Sequence, residues 1–67
     1  MKIWKHGDTV YIAGKGTYDH RQLLSELGCE WNREDKIWEL DPEELDGLVR
    51  ALDDEGVEYE RGKGVKW

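Results

Sequence analysis

The sequence predicts a small α+β domain. Its expected order is β-β-α-β-β-α-β, with an antiparallel or mixed sheet carrying two helices on one face. Three observations predict it. Short runs of period two alternate with segments of helical period. Asp41-Pro42-Glu43-Glu44 is a helix start, and Gly28 and Gly56 stand where two helices stop.

The first two strands are Ile3-Trp4-Lys5 and Thr9-Val10-Tyr11-Ile12-Ala13, around a His6-Gly7-Asp8 turn. Val10 and Ile12 share one face and Tyr11 takes the other. Gly14-Lys15-Gly16 breaks the second strand.

Asp19 is the expected N-cap of the first helix, with Gln22 three residues on as in a capping box. His20, Leu23, Leu24 and Leu27 fall on one side, and Gly28 supplies the stop. A helix of about nine residues is too short to stand alone, so it packs on the sheet.

Cys29-Glu30-Trp31 and Lys36-Ile37-Trp38-Glu39-Leu40 read as a hairpin around Asn32-Arg33-Glu34-Asp35. Cross-strand packing of Trp31 and Trp38 is expected to be structural. In the second helix Asp41 caps, Pro42 takes the first position and Glu44 closes the box. Leu45, Leu48, Val49 and Leu52 form its apolar stripe. Val57-Glu58-Tyr59-Glu60 alternates as a last strand. The expected domain is 1–61, with 62–67 as a basic, glycine-spaced tail. The predicted core is Val10, Ile12, Leu24, Leu27, Trp31, Trp38, Leu45, Leu48, Val49 and Leu52.

A chain of 67 residues has one small core and relies on large side chains. There is no Phe, but there are four Trp and three Tyr. A single cysteine, Cys29, excludes an internal disulfide and points to a reducing cytoplasm. The start Met1-Lys2-Ile3-Trp4-Lys5 has no apolar run of the signal-peptide kind. No run approaches the length of a membrane span, so no membrane partner is expected.

The net charge is −6, unevenly spread. Residues 1–38 are balanced. Residues 39–60 hold ten acids against Arg50 alone, and Arg61, Lys63 and Lys66 follow. An acidic half repels phosphates and attracts basic protein surfaces.

Gly16-Thr17-Tyr18, followed by Leu23…Leu27-Gly28-x-x-Trp31-Asn32-x-x-x-Lys36-x-Trp38, resembles the HARP-type domain of annealing helicases. It is also similar to small modules of unknown function in phage and plasmid DNA-processing proteins. The resemblance covers residues 14–40. Cys29-Glu30 replaces the family's small residue and arginine, and Asn32 replaces its aspartate. The resemblance implies contact with nucleic acid or a DNA-processing partner, and the exchange of arginine for Glu30 weakens the first.

Catalytic and metal chemistry find no constellation. Gly14-Lys15-Gly16-Thr17 lacks the first glycine of a phosphate loop. His6, His20 and Cys29 do not have zinc-site spacing. Paired carboxylates abound, but a glycosidase-type pair needs a deep cleft that so short a chain does not easily build. No enzyme activity, cofactor or metal is expected.

Two functions remain. In the first, Glu43, Asp46, Asp53, Asp54, Glu58 and Glu60 bind a partner. Helical carboxylates about 5–6 Å apart then imitate phosphates in the basic groove of a nucleic-acid-binding protein. A DNA-mimic inhibitor of the anti-CRISPR or anti-restriction type, from a phage or mobile element, has this design. In the second, a HARP-like accessory module binds single-stranded or structured nucleic acid through Lys15, Arg33 and Lys36, with exposed aromatics stacking on bases. The charge favours the first.

Overall fold

The computed structural model describes residues 1–62. Five strands form one mixed sheet: β1 (Lys2–His6), β2 (Thr9–Ala13), β3 (Glu30–Asn32), β4 (Ile37–Leu40) and β5 (Glu60–Arg61). Their spatial order is β3-β4-β2-β1-β5. All neighbours are antiparallel except β1 and β5, which run parallel. The helical elements are α1 (Gly16–Asp19), α2 (Arg21–Glu26), a 3₁₀ turn over Pro42–Glu44 and α3 (Leu45–Asp54).

Alternation sorts the strand residues between the two faces. Ile3 pairs with Ile12, Val10 with Leu40 and Ile12 with Trp38, so these five share a face. Ile3, Val10, Ile12 and Leu40 are buried there in one cluster with Leu24 of α2, Leu48 and Leu52 of α3, and Cys29. Both helices therefore cover the same side of the sheet, as expected. The opposite side carries Trp4, Tyr11, Ile37 and Glu39, and no helix among the described residues packs over it.

Both α2 and α3 end in the same backbone device. Cys29 N–H donates to the Leu24 carbonyl and Gly28 N–H to that of Ser25. Val57 and Gly56 repeat this on Leu52 and Asp53. These are Schellman motifs, and they need a left-handed residue at the turn. Gly28 (φ +93°) and Gly56 (φ +69°) supply it.

The start of α3 follows the sequence in part. The Asp41 carboxylate accepts the Glu43 N–H at 3.0 Å, and Pro42 opens the turn. The turn is 3₁₀, however, and Glu44 bonds back through its own N–H to the Asp41 carbonyl instead of closing a capping box.

Several expectations need correction. Asp19 does not cap a helix. Helical structure already begins at Gly16, where the Thr17 hydroxyl donates to the Gly14 carbonyl at 2.7 Å and Thr17 is buried. Asp19 ends that short helix, and His20 (φ −113°) separates it from α2. The hairpin loop is Arg33–Lys36, one residue later than the spacing suggested, because Asn32 acts as the hinge. Its side-chain oxygen accepts the N–H groups of Glu34 and Asp35. Lys36 closes the loop in the left-handed region (φ +56°).

The last strand is Glu60–Arg61 rather than 57–60, since the α3 stop holds Val57. The core also differs. Ile3, Leu40 and Cys29 join it, Leu27, Trp38, Leu45 and Val49 are only half-buried, and Trp31 is exposed. The expected tail lies outside the described residues apart from Gly62.

Candidate functional site

A groove of about 790 Å³ runs between the α1–α2 segment and the β3–β4 hairpin. Its walls include Tyr18, Arg21, Gln22 and Glu26 on one side and Trp31 and Trp38 on the other. The aromatic rings reach it for local reasons. α2 is only six residues long and stops at the Gly28 motif. It buries its own Leu24 in the core but leaves Trp31 of the hairpin exposed. Trp31 and Trp38 stand opposite each other on β3 and β4, on the helix-bearing side of the sheet. With no helix above it, Trp31 stays 47% exposed.

Tyr18 is 69% exposed on the opposite wall. Arg21, one helical turn on, donates through Nη1 to the Tyr18 carbonyl at 3.0 Å and places its guanidinium 4.5 Å above the ring. That contact is of cation–π type. It holds a cation at the groove wall, and Glu26 supplies one carboxylate.

The residues proposed for nucleic-acid binding do not converge on this groove. Arg33 lines a neighbouring concavity of about 400 Å³ that shares Trp31 as a wall, together with Glu30, Glu34 and Glu39. Lys15 precedes α1 and Lys36 sits in the hairpin loop; both are exposed. Arg21 is the cation at the groove wall, and sequence reasoning missed it. The available signal was its i, i+3 spacing from Tyr18.

The acidic residues fall in four places. Asp46, Asp53 and Asp54 surround a shallow concavity on α3 together with Arg50 and Arg61. Glu43 lies in the 3₁₀ turn, Glu58 in the irregular segment after α3, and Glu60 on β5 opposite Lys2 of β1. All six are exposed. Two arginines interrupt the negative surface of α3, so these carboxylates do not form one uninterrupted column. Arg61 ties this surface to the β5 edge of the sheet, whereas the aromatic groove lies at the β3–β4 edge.

Cys29 is buried behind α2, and burial pushes its thiol up to about 11. At neutral pH it is a protonated, apolar packing group. Among the described residues, no three His, Cys, Asp or Glu side chains converge to hold a metal. No helix among them is long and apolar enough to cross a membrane. Comparison with protein-family models, with curated proteins and with solved structures finds no match for this chain.

Proposed function

We propose that this chain is a small acidic protein-binding module that docks a basic partner through its aromatic groove. The observation that carries the reading is the exposure of Trp31 and Tyr18 on the two walls of one groove. With eight buried apolar side chains among its described residues, the domain leaves the Trp31 and Tyr18 rings exposed. Each exposed apolar Å² forgoes about 25 cal/mol of burial free energy. Tyr, Trp and Arg are the side chains that most often carry binding energy at protein interfaces, and all three types line this groove.

The net charge of −6 selects the partner's sign and speeds its approach. Glu43, Asp46, Asp53, Asp54, Glu58 and Glu60 act in this reading as a steering field. A nucleic-acid-binding protein with a basic groove is the partner class that fits, and inhibition of such a protein is the DNA-mimic form of the reading. Arg50 and Arg61 make α3 a poor replica of a phosphate row, so the groove supplies the specific contact.

The test is capture of partners from nuclease-treated lysate by wild type and by Trp31→Ala and Tyr18→Ala. The expected result is a basic protein retained by wild type, released as salt rises, and lost by both variants while they stay folded.

A second reading has a specific observation behind it. Arg21 over Tyr18 beside exposed Trp31 is also a stacking arrangement for unpaired bases. The resemblance over residues 14–40, which include both walls of the groove, points the same way. Direct binding of an oligothymidine at about 0.15 M salt, where weak phosphate contacts fade, would replace the first reading with this one.

A further inference from the structure

The helix-free side of the sheet carries a row of four side chains running across four strands. Trp4 of β1 pairs with Tyr11 of β2, Tyr11 with Glu39 of β4, and Glu39 with Glu30 of β3. Because directly opposed residues point to the same face, the row reads ring, ring, carboxylate, carboxylate. The two rings stack, with centroids 5.6 Å apart and planes 25° from parallel. Tyr11 therefore has Trp4 on its β1 side and Glu39 on its β4 side. Trp4, Tyr11 and Glu39 are half-buried and Glu30 is exposed.

The two glutamates are the unusual part. Like charges directly opposite on a ladder destabilise a sheet. Glu39 accepts a hydrogen bond from the Asn32 side-chain amide at 2.7 Å, which fixes its position without neutralising it. Neither glutamate has a cationic partner among the described residues. A cation supplied from outside removes the repulsion and gains the π-face of Tyr11 at the same time.

We propose that this row receives an arginine side chain of the basic partner protein, so that the partner is gripped by the open sheet face as well as by the groove. The inference rests on the protein-binding reading above and names the chemistry of a second contact. Arginine fits better than lysine. Its planar guanidinium stacks on aromatic rings and bonds carboxylates through two N–H groups at once, whereas an ammonium is a strongly hydrated point charge. Lys2 lies one row away, opposite Glu60 of β5, and Arg33 lines the same concavity as Glu30 and Glu39 without forming an ion pair with either.

The experiment is an NMR titration of the isotope-labelled protein with a Gly-Arg repeat peptide. Matched peptides carry lysine or neutral citrulline in place of arginine. The Trp4 indole N–H and the Tyr11 and Glu39 amides are expected to shift with the arginine peptide. Lysine should bind at least about fivefold more weakly, and citrulline should not bind. Glu30→Gln with Glu39→Gln should weaken the arginine peptide at least about tenfold, the loss of a charge-assisted pair. The same double variant should melt at a higher temperature, since the repulsion is gone. Glu30→Gln alone spares the Asn32 bond and should show a smaller loss in the same direction.

Shifts confined to Trp31 and Trp38 would overturn the proposal. So would undiminished binding in the double variant, or equal shifts from an oligothymidine. Trp31→Ala separates the two contacts. It should abolish partner capture yet leave the Trp4 titration unchanged, so failure of the groove reading and failure of this one give different results.

Discussion

Trp31 and Trp38 oppose one another across the β3–β4 ladder with ring centroids 5.4 Å apart and planes tilted by 58°. The two rings nevertheless differ in exposure. Trp38, on the inner strand of the pair, packs against the core, and Trp31, on the edge strand, is 47% exposed. One pair thus joins the folded interior to the groove, and the two residues should respond differently to substitution.

Trp38→Ala should destabilise the domain by about 2–4 kcal/mol, somewhat less than truncation of a fully buried aromatic. Trp31→Ala should change stability by about 1 kcal/mol or less, the loss of one cross-strand aromatic contact, while removing partner capture. Urea unfolding of both variants checks the split. Equal destabilisation would make Trp31 a core residue.

Leu48 is fully buried at the centre of the α3 stripe. Leu48→Ala should cost about 2–5 kcal/mol, enough to unfold much of so small a domain near its working temperature. Thermal melting by circular dichroism measures it. An unchanged melting temperature would contradict the way α3 sits on the sheet.

Two glycines should respond to alanine in opposite directions. A Cβ on Gly62 would lie 2.5 Å from the Trp4 Cβ and 2.9 Å from the Ile3 carbonyl oxygen, against the backbone of β1. Gly62→Ala should therefore displace β5 and destabilise by about 1–3 kcal/mol. Gly47 lies inside α3 with nothing within 4 Å of its added Cβ. Gly47→Ala should stabilise by about 0.5–1 kcal/mol, because glycine is a poor helix former. A loss of partner binding in Gly47→Ala with a raised melting temperature would place the partner against that side of α3.

The Cys29 thiol should resist alkylation in the native protein at pH 8 and react once the chain is unfolded. Burial pushes it up to about 11 from an ordinary value of 9.0, since the thiolate is disfavoured away from water. The unfolded chain therefore loses this proton at lower pH than the folded one. The contribution to stability is complete below the ordinary value and disappears as pH rises toward the folded one. Denaturant midpoints of wild type and Cys29→Ala, compared at pH 8 and above pH 10, check the sign. The gap between them should shrink as pH rises.

The sequence alone determined the features that arise within one turn of helix or one pair of strands. Asp41 and Pro42 open the second helical segment, Gly28 and Gly56 close α2 and α3, and alternation puts Val10 and Ile12 on the buried face. These depend on contacts a few residues apart, so residue type and spacing suffice to find them. Tertiary structure decided the rest. Asp19 has the chemistry of a cap, but the bonded and buried Thr17 starts the helix earlier. Glu60–Arg61 became a strand because Gly62 N–H finds the carbonyl of Ile3 on β1 and Glu60 N–H that of Met1 just before it, far away in the chain. The groove exists because α2 is too short to roof Trp31, and the ring row on the open face because β1, β2, β4 and β3 align in register. Burial and cross-strand neighbours are set by which distant segments meet. That is why a tryptophan legible in the sequence as core became an exposed wall of the groove.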